Sequence, residues 1–156
     1  MRLRKIKNAQ ERLQDKLGLF IPNPEEYKGA WQKKFGNKNP IYIEIGMGKG
    51  KFIIEHAKRN KNINYIGIEK YDSVLIKGVE KASVEGLDNI HFLNVDAIKL
   101  RDYFKKGEVD KIFLNFSDPW PKTRHAKRRL TSEAFLKVYD NILDKSCGES
   151  CASYSY

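Results

Sequence analysis

The chain is poor in cysteine and histidine: two of the first and three of the second occur in 156 residues. Cys147 and Cys151 stand close together without a second pair or a neighbouring histidine, which suits neither a disulfide framework nor a zinc site. That thiol usage points to a reducing cytoplasm. Long apolar runs are also missing. No stretch approaches the roughly 20 residues that a membrane helix needs, and Met1-Arg-Leu-Arg-Lys-Ile-Lys7 lacks the apolar core of a signal peptide. There are no internal repeats and no low-complexity tracts. Acids are outnumbered, with 20 Asp and Glu against 30 Lys and Arg, and the resulting formal charge of +10 points to a polyanionic partner. A hydrophobic content of 40% and a charged content of 32% fit one soluble globular domain, long enough to bury a core.

Residues 1–39 read as a basic N-terminal arm with short helices. Asn8 and Glu11 have capping-box spacing, with Leu13 and Leu17 on one helical face. Asn23 and Pro24 then open a helix that carries Tyr27 and Trp31 and stops at Gly36. From Pro40 onward, residues 40–156, strand and helix patterns alternate. Strands are expected at Ile41–Ile45, Asn64–Ile68, Ile90–Asn94 and Lys111–Phe116. Helices are expected at Lys49–Arg59, Tyr71–Glu85, Ala97–Phe104 and, after a Thr131 cap, up to Leu143, with Phe135, Val138, Tyr139, Ile142 and Leu143 on one face. Such alternation implies a parallel sheet with helices on both faces and right-handed crossovers. Ligands bind such sheets beyond the carboxyl ends of the strands.

The densest signal is Ile41-Tyr-Ile-Glu-Ile-Gly-Met-Gly-Lys-Gly50, a β-type run that passes into three alternate glycines and then a helix. Gly46, Gly48 and Gly50 let the backbone turn sharply and approach a ligand with no Cβ between. Neither the G-x-G-x-x-G of dinucleotide folds nor the phosphate-binding P-loop fits the spacing. Glu44, two residues before the first glycine, would repel a phosphate and attract a cationic amino group. E-x-G-x-G-x-G resembles the first motif of S-adenosylmethionine-dependent methyltransferases.

Carboxylates recur at the strand ends. Glu69 ends the second expected strand about 20 residues past the glycines, where an acid accepts hydrogen bonds from both ribose hydroxyls. Asn94 and Asp96 follow the third strand, where a carboxylate can accept from an adenine amine. Asp118 follows the fourth, in Ser117-Asp-Pro-Trp-Pro121, whose prolines stiffen a loop suited to gripping a planar base. Lys122, Arg124, Lys127, Arg128 and Arg129 then place five permanent cations within eight residues, with no acid between Asp118 and Glu133. Cations at a helix start oppose its dipole, so contact with a phosphate backbone is the better reading.

With these segments in view, the sequence resembles the bacterial tRNA (guanine-N7-)-methyltransferase family. Ile43-Glu-Ile-Gly-Met-Gly-Lys-Gly50, Tyr65-Ile-Gly-Ile-Glu69 and Phe116-Ser-Asp-Pro-Trp-Pro-Lys-Thr-Arg-His-Ala-Lys-Arg-Arg-Leu130 carry the resemblance, which spans residues 1–145 or so. It implies an α/β, Rossmann-like S-adenosylmethionine-dependent methyltransferase fold, a cytoplasmic monomer or homodimer, and tRNA as partner, with no membrane and no metal. By the resemblance, Glu44, Glu69, Asp96 and Asp118 contact the cofactor, Asp118 is the active-site residue, Lys122 binds substrate, and Arg124, His125, Lys127, Arg128 and Arg129 fall in an RNA-contacting segment. Guanine N7 carries its own lone pair, so the implied reaction needs no catalytic base; His56 and His91 look like helix and strand residues.

The end of the chain departs from the family. Every Lys and Arg falls at or before Lys145, and Ser146-Cys-Gly-Glu-Ser-Cys-Ala-Ser-Tyr-Ser-Tyr156 differs in character. The expectation is a methyltransferase domain lacking its C-terminal strands, with five strands at most. Two alternatives stand beside methyl transfer to N7: an inactive fragment that binds tRNA or cofactor without turnover, and an amino-methyltransferase acting on an exocyclic amine, suggested by Asp118-Pro-Trp120.

Overall fold

A computed structural model of the protein describes residues 8–114 and 132–145. Four parallel strands, β1 (Ile41–Ile45), β2 (Asn64–Ile68), β3 (Ile90–Leu93) and β4 (Lys111–Leu114), lie in the order β3-β2-β1-β4. The chain runs outward from β1 to β3 and then returns to the other side of β1, so the direction of winding switches between β1 and β4. That switch opens a crevice at the carboxyl ends of those strands.

Five helices accompany them among the described residues: α1 (Ala9–Gln14), α2 (Trp31–Phe35), α3 (Lys51–Arg59), α4 (Asp72–Val84) and α5 (Glu133–Ile142). The strands are buried almost throughout, which explains their continuous rather than alternating apolar character. One face packs Ile53, Ile54 and Ala57 of α3 and Leu75, Ile76 and Val79 of α4 against Tyr65, Ile90 and Phe92, joined by Leu13 of α1. On the other face, Trp31 of α2 and Val138, Tyr139 and Ile142 of α5 pack with Leu100 and Phe104 against Ile43, Ile45 and Ile112. Helices thus cover both faces, as the alternation implied.

The β3 edge is covered by the segment before the first expected strand. Ile21 N donates to Phe92 O at 3.0 Å and Phe92 N to Leu19 O at 2.8 Å, so residues 19–21 satisfy the backbone of an otherwise open edge. On the β4 side, Val109 forms a single parallel bridge with Leu143. The described residues contain four strands, within the expected limit of five.

Several local expectations are corrected. Asn8 adopts φ 67°, and no side-chain cap bond forms, so the capping box with Glu11 is absent. The first helix ends at Gln14, and Leu17 is exposed rather than on its apolar face. The helix expected from Pro24 to Gly36 is two pieces, a 3-10 turn at Pro24–Tyr27 and α2, because Gly29 at φ 79° breaks the run. Ala97–Asp102 is likewise 3-10 rather than α. α3 begins at Lys51, since Gly50 at φ 81° is still part of the loop. Ser132 occupies the N-cap position of α5; Thr131 lies outside the described residues.

Candidate functional site

The three motif glycines all hold positive φ: 73° at Gly46, 60° at Gly48 and 81° at Gly50. A side chain at any of them would be strained. The loop is tied down at its start, where Gly46 N and Met47 N both donate to Ile68 O, at 2.9 and 3.1 Å. Met47 fixes its middle. Its side chain is buried in a socket between β2 and α4, where Gly67 and Gly78 lack the Cβ that would collide with it. Beyond Gly48 the loop is open: a Cβ built there meets nothing within 4 Å. Sequence reasoning missed Met47, Gly67 and Gly78, although glycine inside a strand or a helix often marks a close approach.

Glu69, at the tip of β2, is buried and lies against this loop. Its Oε1 accepts from Gly48 N at 3.1 Å and its Oε2 from Tyr71 N at 3.0 Å, the latter at the start of α4. Glu44 lies on β1 in register with Gly67 and is only 1% exposed. Its Oε1 has no hydrogen-bond partner among the described residues. Burial, reinforced by the neighbouring Glu69 charge, pushes its carboxyl up to about 8. A buried carboxyl with an unpartnered oxygen is costly to ionise alone, and a cation beside it would offset that cost. The pair suits a cationic ligand and disfavours a phosphate.

Past β3 the two expected residues play different parts. Asp96 is the N-cap of Ala97–Asp102, accepting from Ile98 N at 3.1 Å, and its other oxygen lies 3.9 Å from Lys70 Nζ. Asn94 is a brace. Its Nδ2 donates to Glu69 O at 3.1 Å and Lys70 O at 3.0 Å, while its Oδ1 accepts from Gln10 Nε2 at 3.0 Å. Gln10 also donates to Asp72 Oδ2 at 3.0 Å, so α1 reaches the rim of the same crevice. The structure therefore brings Glu44, Gly46, Gly48, Gly50, Glu69, Asn94 and Asp96 to the carboxyl ends of β1, β2 and β3. Asp118, Lys122, Arg124, His125, Lys127, Arg128 and Arg129 lie outside the described residues. Among the described residues no helix is long and apolar enough to cross a membrane.

Comparison with known proteins agrees with this fold. A family described as "Putative methyltransferase" matches residues 38–149. The tRNA (guanine-N(7)-)-methyltransferase of Geobacillus sp. (strain WCH70) is 55% identical over 143 residues, 92% of this chain and 65% of that protein. That of Listeria monocytogenes serotype 4a (strain HCC23) is 51% identical over 146 residues, 94% of this chain and 68% of that protein. The chain thus spans about two thirds of the length of the curated relatives it matches. Among solved structures, the antibiotic-resistance methyltransferase Kmr aligns with a TM-score of 0.57 at 18% identity, over 74% of this chain and 59% of that one. A SAM-dependent methyltransferase from Aquifex aeolicus aligns with a TM-score of 0.53 at 20% identity, over 89% and 68%. At these identities the likeness is one of fold, the Rossmann-like fold of S-adenosylmethionine-dependent methyltransferases. With the glycine loop, the two buried acids and relatives more than half identical, the chain belongs to the tRNA (guanine-N(7)-)-methyltransferase family.

Proposed function

We propose that this chain holds S-adenosylmethionine at the carboxyl ends of β1, β2 and β3 and directs its methyl group to N7 of a guanine in the variable loop of tRNA. The observation that carries the reading is the buried Glu44 carboxyl beside Glu69, under a glycine loop that is open above Gly48. That donor set fits a small cationic nucleoside, and relatives bearing the guanine-N7 name share half or more of the aligned residues.

When bound, the cofactor supplies an activated methyl group on a cationic sulfur. The residues of the chain do the rest. Glu44 offers its charge to the amino group, and the glycines allow close backbone approach. Glu69 accepts from ribose hydroxyls in addition to its two backbone amides, since a carboxylate oxygen can accept more than one hydrogen bond. Asp96 serves the adenine edge, with Asn94 fixing the strand ends behind it. By family resemblance Asp118 stands opposite the purine that becomes cationic on methylation, where a fixed carboxylate stabilises charge as it develops. Lys122 and the Arg124–Arg129 segment, His125 included, hold the RNA. Guanine N7 has no proton to remove, so orientation is the main catalytic demand.

Incubation with unmodified tRNA and methyl-labelled cofactor tests the proposal. Label should appear on guanine N7, read as strand scission after reduction and aniline treatment. Asp118→Asn should slow transfer well beyond any loss of binding. Label on an exocyclic amine would overturn the N7 assignment in favour of amino-group methylation.

A further inference from the structure

Beside the glycine loop a second feature is built into α3. A cavity of about 760 Å³ starts at Met47, Gly48 and Lys49 and continues down the helix past Lys51, Phe52, Glu55, His56, Arg59 and Asn60. The α3 positions recur at helical spacing and form one face, opposite the buried Ile53, Ile54 and Ala57. Two chemistries meet there. Phe52 and His56 pair at 4.2 Å between ring centroids, and both lean on Phe113 of β4, at 5.1 and 5.6 Å. Both rings are half-buried, so each keeps a surface on the groove. Burial, with the charges of Arg59 and Lys111, holds the His56 imidazole below its ordinary value, which keeps a neutral ring at pH 7.

The second chemistry is cationic. Lys49, Lys51 and Arg59 are exposed along the groove, and Lys111 lies 5.3 Å from the Phe113 ring centroid beneath it. The one acid among the described lining residues, Glu55, is already faced by Lys58 at 3.6 Å and Arg59 at 4.0 Å. Aromatic faces interleaved with lysine and arginine suit splayed nucleotides, whose bases stack while their phosphates meet cations. An acidic peptide would satisfy the cations but leave the ring faces without planar partners.

We infer that this groove is a docking track for loop nucleotides flanking the target guanine, with Phe52 and His56 as a stacking platform and Lys51 and Arg59 as phosphate contacts. The inference rests on the proposed tRNA reading and deepens it. The groove shares Gly48 and Lys49 with the cofactor crevice, so RNA lying in it is delivered to the open side of the glycine loop.

The test uses the full chain, labelled unmodified tRNA, and affinity measured across a salt series. Lys51→Glu/Arg59→Glu is compared with Lys105→Glu/Lys106→Glu, which changes the net charge equally in an exposed turn before β4, at the amino end of the sheet. The groove variant should bind at least tenfold more weakly than the control, and its slope of log affinity against log salt should flatten by about 1.5, roughly 0.7–0.9 per lost phosphate contact. Phe52→Leu, which keeps apolar volume without a ring, should lose about fivefold or more, the equivalent of the smallest stacking contribution. Equal losses in groove and control variants would overturn the groove while leaving the tRNA reading standing. Absence of tRNA binding by the unaltered chain would overturn both.

Discussion

The amide of Gly48 donates to Oε1 of Glu69 at 3.1 Å, so the acid at the tip of β2 grips the loop that follows β1. Its other oxygen takes the Tyr71 amide at 3.0 Å. Hydrogen bonds to an ionised acceptor are stronger than neutral ones. One carboxylate thus fixes the loop and the start of α4 together.

Glu69→Ala should accordingly cost more than a ribose contact. Each charge-assisted bond lost contributes on the order of 1.5–3 kcal/mol, so affinity for S-adenosylhomocysteine should fall at least tenfold and the melting temperature should fall with it. Affinity for tRNA should hold. Calorimetric titration with an unchanged dissociation constant would show that the ribose acid lies elsewhere.

Glu44 should make both stability and cofactor affinity depend on pH. Its folded value of about 8 exceeds the ordinary 4.5, so the folded chain keeps a proton that the unfolded chain has released. Stability from this group therefore falls as pH rises from about 4.5 to about 8. His91 acts in the opposite sense. Burial, helped by the Lys34 charge, pushes it from 6.5 to about 4, so its contribution is complete above 6.5 and is lost as pH falls towards 4. The window between pH 6.5 and 8 consequently isolates Glu44 from His91. Thermal melts across it should decline for the unaltered chain and stay flatter for Glu44→Gln. A cationic cofactor favours the ionised carboxyl, so binding should release a proton and tighten with rising pH. Calorimetry in two buffers of unlike ionisation enthalpy reads that proton, and identical apparent enthalpies would remove Glu44 from the cofactor's cationic end.

Local signals carried much of this into the sequence. β1 and β2 occupy the expected Ile41–Ile45 and Asn64–Ile68, since short β-rich runs bounded by turn residues in a buried parallel sheet have few other solutions. The glycine loop was legible because positive φ selects glycine. What was hidden depended on distant partners. The pairing of residues 19–21 with Phe92 places an irregular segment against β3, and no periodicity announces it. Asn94 was legible only as a candidate ligand contact; its bracing role was hidden, because Glu69 O, Lys70 O and Gln10 converge on its amide from two other parts of the chain. The Met47 socket needs β2, α4 and the loop at once.

That socket gives a prediction opposed to helix propensity. Alanine is favoured over glycine inside a helix by about 1 kcal/mol, yet Gly78→Ala would set a methyl against Met47 Cε and 3.0 Å from Lys49 O. Overpacking of this kind costs roughly 1–3 kcal/mol, and here the displaced atoms belong to the glycine loop. Gly78→Ala should lower both the melting temperature and S-adenosylhomocysteine affinity. A variant more stable than the parent, binding equally well, would show that Met47 yields freely and does not position the loop.

The basic segment supplies the last prediction. Arg124, Lys127, Arg128 and Arg129 changed together to alanine should weaken tRNA binding and reduce its salt slope by about 3, at 0.7–0.9 for each phosphate contact. Cofactor affinity should hold, because Glu44, the glycine loop and Glu69, proposed above to hold the cofactor, lie at the ends of β1 and β2. The α3 groove is proposed as an RNA contact of its own, on other residues, so combining the four alanines with Lys51→Glu/Arg59→Glu should give losses that add, as independent sites do. A quadruple variant with an unchanged slope would reduce these cations to a solvated surface. A combined loss no larger than that of the quadruple variant would mean that the groove is not a separate RNA contact.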